Sequence, residues 1–110
     1  MRQYDFHGSV PIDTIGKELR NIALRKENFK ILTGYGSTSG VSKSKDAALR
    51  SLRNMKSQGL IKGYLPAEKC TELLSHGDPY LEIKQRYKDI LSSDRDARIG
   101  NDGIIFVFVK

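Results

Sequence analysis

The residues whose types and spacing could perform chemistry lie in two short stretches near the N-terminus. The first stretch holds Asp5 and His7, two positions apart in a segment of strand composition at residues 3–6. Alternate side chains of a strand project from the same face, so the carboxylate is placed to orient the imidazole. An oriented imidazole commonly transfers protons near neutral pH. Asp5 and His7 are therefore candidate catalytic residues, with an ordinary surface histidine as the alternative.

The second stretch is FKILTGYGSTSG, residues 29–40, in which a short apolar strand runs into a loop of Gly, Ser and Thr. A lysine-rich helix follows directly. The backbone N–H groups of such a loop, together with the N-terminus of the next helix, can bind an anion such as a phosphate. The spacing matches neither familiar nucleotide-binding pattern, so a turn without a ligand stays open. The candidate phosphate-binding residues are Thr33, Gly34, Tyr35, Gly36 and Ser37.

Positive charge is concentrated in the first part of the chain. The whole sequence carries a net charge of +6, and residues 1–66 hold twelve basic and five acidic residues. Charge of one sign on part of a small domain favours a polyanionic partner, most simply DNA or RNA. Lys43, Arg50 and Arg53 should lie on the outer side of the helix after the glycine loop, where they could follow a nucleic-acid backbone. Solvated surface charge is the alternative.

The length and the cysteine content favour one domain that needs no covalent staple. A chain of 110 residues can bury a core of its own, and Cys70 is the only cysteine. No apolar segment reaches the length of a membrane span, and the N-terminus has no apolar leader core. We expect a protein without a membrane partner, in a reducing compartment such as the cytoplasm. Cys70 and His76 are too isolated to predict a metal site.

Hydrophobic periodicity predicts an alternation of strands and helices. The apolar residues Ile12, Ile15, Leu19 and Ile22 mark one face of a first helix. The last segment, IIFVFV, is apolar at every position and should be a central strand buried on both faces. The predicted strands cover residues 3–6, 29–32, 60–66 and 104–109, and the main helices cover residues 11–25 and 42–57.

Residues 67–100 form a predicted insert between the third and fourth strands. A short helix is expected at residues 67–75 and a longer one from residue 78 to about 91, whereas the polar segment 92–102 is expected to be mobile. An apolar stripe on the longer helix must pack on the domain or on a second copy, so self-association through the insert stays open. The stripe comprises Tyr80, Ile83, Tyr87, Ile90 and Leu91.

Three motifs in order resemble those of the Smr (small MutS-related) domain family. YDFHG (residues 4–8) is similar to that family's opening L-D-x-H-G, TGYG (33–36) to its H-G-x-G, and NDGIIFVFV (101–109) to its closing G-D-G strand. The family is known for nicking or endonucleolytic cleavage of DNA or RNA. Its D-x-H motif falls on Asp5 and His7 in this chain, which implies a catalytic role for both residues.

The sequence departs from the family pattern at three places. Thr33 stands where many members have histidine, although a T-G-x-G form also occurs in Smr domains fused to pentatricopeptide repeats in plants. Tyr4 replaces a leucine, and the insert is longer than the usual connection. A threonine hydroxyl can donate a hydrogen bond to phosphate but is a poor general base, so proton transfer would depend on Asp5 and His7.

The resemblance implies a single α/β domain over residues 1–110. Its architecture would be a β-α-β-α-β-β two-layer sandwich with a four-stranded mixed sheet, similar to the C-terminal domain of translation initiation factor three. The first three strands would point one way and the last would be antiparallel. Both main helices would cover one face, and the insert would lie at an edge. The ends of the first two strands would then open towards a common crevice.

Two hypotheses about function remain after the motifs are combined. In the first, the chain is an endonuclease or nickase: the glycine loop holds the scissile phosphate, His7 transfers protons with Asp5 orienting it, and Tyr35 stacks on a base or sugar. In the second, the chain only binds nucleic acid or docks on a larger assembly. The sequence contains no metal site, and the need for a divalent cation stays open, as does the choice between DNA and RNA.

Overall fold

The computed structural model describes residues 1–6, 10–34 and 43–110. His7, Tyr35, Gly36 and Ser37 therefore lie outside the described residues. Short 3-10 segments at Ile12–Thr14 and Ala67–Cys70 accompany the regular elements. The strands are β1 (Arg2–Asp5), β2 (Phe29–Leu32), β3 (Gly63–Pro66) and β4 (Ile104–Phe108), and the helices are α1 (Ile15–Ala23), α2 (Lys43–Ser57), α3 (Leu81–Arg86), α4 (Lys88–Ser92) and α5 (Arg95–Ile99).

The four strands form one mixed sheet in the order β1-β2-β4-β3. β1 is parallel to β2, and β4 is antiparallel to both β2 and β3. The predicted four-stranded mixed sheet with an antiparallel last strand is confirmed. β4 is buried at every position because it lies between two strands and both of its faces are covered. The first three strands consequently end at the same edge of the sheet, where β4 begins.

One face of the sheet, the helix face, is covered by α1 and α2. Ile15 and Leu19 of α1 and Leu52 and Met55 of α2 are buried against alternate residues of the strands. The prediction that both main helices share a face is confirmed. α1 begins later than predicted because the chain first makes the 3-10 turn at Ile12–Thr14, where no residue is buried.

The other face, the insert face, is covered by residues 67–99, so the domain has a third layer. Ile83, Tyr87 and Leu91 pack with Phe106 and Phe108 of β4. The rings of Tyr87 and Phe108 are stacked, with centroids 3.9 Å apart. The predicted position of the insert at an edge is wrong, because the alternate apolar residues of β4 project from the second face and must be covered there.

The insert contains more helical turns and fewer long helices than its periodicity predicts. The predicted helix from residue 78 is divided into α3 and α4, and residues 67–75 contain a 3-10 turn only. The segment expected to be mobile contains α5, which begins after Asp94 and ends at Gly100. Asp94 accepts a hydrogen bond from the backbone N–H of Asp96 at 2.9 Å, and Gly100 has a φ of 64°. Both are ordinary helix-terminating devices.

A group of three charged residues fastens α5 to the sheet. Lys30 Nζ lies 3.0 Å from an Asp94 oxygen and 2.8 Å from an Asp96 oxygen, and its side chain is 13% exposed. Burial alone would lower the pKa of Lys30, but hydrogen bonds to Asp96 and Asp94 outweigh burial and raise it. Asn101 donates a further hydrogen bond to Asp96. The polar segment is thus held by a cation from β2 of the sheet.

Candidate functional site

The C-terminal ends of β1, β2 and β3 lie together, beside the start of β4. We call this end of the sheet the loop end. Asp5 is paired in register with Leu32, and Leu32 with Ile104 at the start of β4. Lys45, near the start of α2, donates a hydrogen bond to the backbone oxygen of Asp102 just before β4. The start of α2 therefore reaches the same edge. Parallel strand ends and a helix start gathered in this way commonly form ligand sites in α/β sheets.

Asp5 is the last residue of β1 and is exposed. The next residue, Phe6, extends the pairing, because its N–H donates to Leu32 O at 2.8 Å, and its ring is buried on the helix face. Since side chains alternate along a strand, the Asp5 carboxylate projects on the insert side. His7 lies outside the described residues, so the pairing of Asp5 with His7 stays a prediction.

Thr33 is completely buried at the point where β2 becomes the glycine loop. Its backbone N–H donates to Gly103 O at 2.7 Å, and its hydroxyl donates to the same oxygen at 3.2 Å. These two bonds tie the start of the loop to the turn before β4. Gly34 follows and is also buried. The other predicted loop residues are outside the described part of the chain.

An ion pair between Lys45 and Glu68 also lies at the loop end, and the sequence analysis missed it. Lys45 Nζ is 2.6 Å from Glu68 Oε1, and both side chains are largely buried. The second carboxylate oxygen of Glu68 is buried, and none of the residues that the structure describes gives it a hydrogen bond. Such an atom is costly unless something donates to it. A ligand N–H or O–H group could do so, and Glu68 therefore joins the candidate site.

Glu68 and Asp5 lie at opposite sides of the loop end. Three strand spacings separate β1 from β3, which corresponds to about 14 Å. An extended polymer could face both carboxylates. The position of Lys45 beside the glycine loop was a signal that sequence reasoning could have used. Glu68 gave no such signal, because its placement depends on β3 pairing with β4.

The exposed side of α2 carries the predicted basic residues. Lys43, Arg50 and Arg53 are all exposed, and none of them forms an ion pair with another described residue. Asp46 lies between them on the same side and removes part of their positive charge. Lys56 adds to it one turn further on. The helix therefore presents a net positive row that starts at the loop end.

The C-terminal part of this row borders a small aromatic cleft of about 320 Å³. Arg53 and Lys56 face Tyr64 and Tyr80 there, and the two rings meet edge to face at 5.7 Å. Burial raises the pKa of Tyr80 to about 12, although the nearby Arg53 lowers it. The phenol is neutral at physiological pH and shares a hydrogen bond with the Tyr64 side chain.

The described residues contain no group of three or more His, Cys, Asp and Glu side chains that could hold a metal ion. Cys70 is half-buried in the insert, and burial raises its pKa to about 11. Its thiol is therefore protonated at neutral pH and is a poor metal ligand or nucleophile. His76 is exposed. Among the described helices, none is long and apolar enough to cross a membrane.

No protein-family model matches this chain, and no match was found among curated proteins or among solved structures. The resemblance to the Smr family accordingly stays a prediction. The features that bear on function are the loop end and the charge of α2.

Proposed function

We propose that this protein is a nucleic-acid endonuclease or nickase of Smr type that acts at the loop end of the sheet. One observation carries the proposal. The ends of β1 and β2 and the start of α2 share an edge, which brings Asp5, Thr33 and Lys45 to the same side of the molecule. A carboxylate, a glycine-loop backbone and a lysine are three parts that phosphodiester cleavage can use.

The scissile phosphate would be held by backbone N–H groups of the glycine loop and by the positive end of α2. The exposed Lys43 would add positive charge there, whereas the charge of Lys45 is balanced by Glu68. His7 would take a proton from the attacking water, or from a 2′-hydroxyl in RNA, while Asp5 fixes its orientation. Thr33 would act through position, because its hydroxyl already donates to Gly103 and keeps the loop against β4.

The row of cations along α2 would bind the flanking backbone without reading its sequence. Phosphate contacts of this kind position a nucleic acid and supply salt-dependent affinity. Arg53 would bring the strand to the cleft that contains Tyr64 and Tyr80. The extended shape of this surface favours a polymer over a mononucleotide.

A second candidate, binding without cleavage, is favoured by the surroundings of Thr33. The Thr33 hydroxyl is buried and donates its hydrogen bond to Gly103 O. The residue at the first position of the TGYG motif is therefore not a proton-transfer group. Asp5 and His7 would then be structural, and the same loop and helix would hold nucleic acid or dock it on a larger assembly.

The two candidates are separated by incubating the purified chain with supercoiled plasmid and with structured RNA, with added Mg²⁺ or Mn²⁺ and with EDTA. Electrophoretic mobility shifts are recorded on the same samples. Cleavage that copurifies with the folded protein supports the nuclease, and the EDTA lanes report whether a metal is needed. Binding without cleavage under every condition supports the second candidate. Neither binding nor cleavage contradicts both.

A further inference from the structure

A broad groove lies at the end of the sheet opposite the loop end. It has a volume of about 640 Å³ and is formed where α1 and α2 finish, just before β3 and just after β4. Residues 103–109 run from one end of the sheet to the other, a distance of about 20 Å for an extended strand. The groove is thus separate from the proposed nuclease site.

The groove has an apolar lining that is open to solvent. Leu24 is 74% exposed and Leu60 is 44% exposed, and the partly buried Val109 lies beside them. Leu24 directly follows α1 and Leu60 comes three positions after the end of α2; Lys26 adopts a φ of 57° in the turn after α1. Exposed leucines side by side in a concave surface are typical of an interaction site.

The charged side chains that line the groove are all basic. They are Arg20, Lys26, Lys62 and Lys110, and no carboxylate side chain among the described residues lines the groove with them. None of the four forms an ion pair with any other described residue. Elsewhere the cations that lie near carboxylates, such as Lys30 and Lys45, are paired with them. The groove therefore combines an apolar lining with positive charge that no side-chain carboxylate in the described part of the chain neutralises.

We propose that the groove docks an acidic amphipathic peptide segment of a partner protein. Apolar side chains of the segment would cover Leu24 and Leu60, and its carboxylates would face the four cations. An amphipathic helix laid into an apolar groove is a recurrent mode of recognition. Its acidic face would supply the charge complementarity that steers association.

Nucleic acid and membrane surfaces fit this groove less well. A nucleic-acid strand binds through phosphates and stacked bases, and the groove lining, as far as the structure describes it, contains no aromatic side chain on which a base could stack. Phosphates would also leave the two leucines in water. A bilayer needs apolar side chains that protrude, whereas these line a concavity. An acidic amphipathic peptide can both cover the leucines with apolar side chains and neutralise the cations with carboxylates.

The test uses the full chain labelled with ¹⁵N and three probes. The first probe is a 14-residue peptide with leucines at i, i+3, i+4 and i+7 and glutamates at most other positions. The second is a scrambled peptide of the same composition, and the third is a single-stranded oligothymidine. We expect the amphipathic peptide to shift the amide signals of Leu24, Leu60 and Lys62, and to bind at least about tenfold more tightly than the scrambled one.

Variants show whether the leucines and cations themselves are responsible. Leu24→Glu and Lys62→Glu should each weaken peptide binding about tenfold or more. Their matched controls are Leu73→Glu, at a fully exposed leucine of the insert, and Lys88→Glu, on α4, neither of which lines the groove. Both controls should bind like the wild type. All four substituted side chains are exposed, so folding should be kept, and circular dichroism checks it.

Three results would overturn the docking site. The amphipathic peptide could fail to bind at millimolar concentration, or it could bind the Leu24→Glu and Lys62→Glu variants as tightly as the wild type. The oligothymidine could shift the same amides and displace the peptide, which would make the groove a nucleic-acid surface. None of these results depends on whether the loop end cleaves nucleic acid, so the two proposals fail separately.

Discussion

The two faces of the sheet are covered in different ways. On the helix face the cover comes from two amphipathic helices, and the buried cluster there consists of apolar residues. On the insert face short helical turns supply apolar residues as well, but a partly buried cation, Lys30, also holds the carboxylates of Asp94 and Asp96 at the start of α5. The cover of the helix face is held by periodic apolar stripes, whereas the cover of the insert face also depends on particular ion pairs.

The ion pairs of the insert also determine which cations of the basic first part of the chain are neutralised. Three of the four ion pairs between described residues join a lysine of the basic first part to a carboxylate of the insert. These are the two pairs of Lys30 and the pair between Lys45 and Glu68. The acidic residues of the insert thus neutralise cations on one side of the molecule. The exposed side of α2 and the groove keep their positive charge.

The largest effect is expected at the centre of the insert face. Ile83→Asp would place a carboxylate where Ile83 is now 3% exposed, against Gly63 and the β4 rings. We expect the free energy of unfolding in urea to fall by about 4 kcal/mol or more. Ile90→Asp is the control, because Ile90 is 39% exposed, and should change the free energy little. Equal stability of the two variants would show that the insert does not cover the sheet.

The next largest effect is expected at the charged group of Lys30, Asp94 and Asp96 on the insert face. Lys30→Met keeps the shape of the side chain but leaves Asp94 and Asp96 facing each other without a cation. Removing one partner of a buried ion pair costs about 3–5 kcal/mol, and the partial exposure here lowers the expectation to about 2–3 kcal/mol. A urea melt at neutral pH measures it. A loss of less than about 0.5 kcal/mol would mean that the charges do not hold α5.

The pH dependence of stability sharpens the same comparison. Burial alone would raise the pKa of Asp96, but hydrogen bonds from Lys30 and Asn101 lower it below its ordinary value of 3.8. The stability that this carboxylate contributes is thus present above about pH 4 and is lost as the pH falls through the lowered pKa. In Lys30→Met the carboxylates lack their cation, so acidification from pH 7 to about 4 should stabilise the variant relative to wild type. Parallel loss in both proteins would contradict this.

A smaller effect is expected where β3 meets the insert. A Cβ added at Gly63 would lie 2.2 Å from Ile83 Cδ1, so Gly63→Ala should cost about 1–3 kcal/mol through overpacking. Ile83→Val removes that methyl group. The double variant should therefore be more stable than the two separate losses predict, by about 1 kcal/mol in a double-mutant cycle. Simple additivity would mean that α3 moves away without cost.

The smallest effect on stability, and a clear effect on binding, is expected on the outer side of the helix face. Arg50→Gln with Arg53→Gln should change the free energy of unfolding by less than about 0.5 kcal/mol, because both side chains are exposed. If the chain makes about five phosphate contacts, the logarithm of its affinity should fall with the logarithm of salt concentration at a slope of about −4.5. The double variant should reduce that slope by about 2. A wild-type slope near zero would contradict the proposal that the row of cations along α2 binds a nucleic-acid backbone.

Local patterns in the sequence predict much of this fold. β2 occupies the predicted residues 29–32, and α2 begins and ends within a residue of its prediction, because strand composition and helical stripes are properties of neighbouring positions. The common direction of the first three strands came from the right-handed crossover rule and the antiparallel β4 from family resemblance, whereas the order of the strands in the sheet was not predicted. The helix α5 was missed even though Asp94 and Gly100 are helix-ending residues, because the polar segment between them has no apolar stripe.

The candidate site could be predicted less completely. Asp5, Thr33 and the cations of α2 were found from motifs and charge, and the structure brings the first two to the loop end. Glu68 was missed because its partner Lys45 is 23 positions away, and the pairing depends on how the insert leaves β3. The groove beside Leu24 was missed for a similar reason: its lining comes from three separate parts of the chain. Contacts between distant residues are absent from any local pattern.

The central claim, that His7 transfers protons while Asp5 orients it, is tested most directly by single-turnover cleavage with binding measured on the same folded samples. Wild type, His7→Ala, Asp5→Asn and the control Asp89→Asn, at an exposed aspartate on α4, are compared. We expect His7→Ala and Asp5→Asn to cleave about 10²- to 10⁴-fold more slowly while binding substrate normally, and Asp89→Asn to match wild type. Wild-type cleavage rates in His7→Ala and Asp5→Asn, or no cleavage by wild type under any metal condition, would contradict the claim and leave nucleic-acid binding as the function.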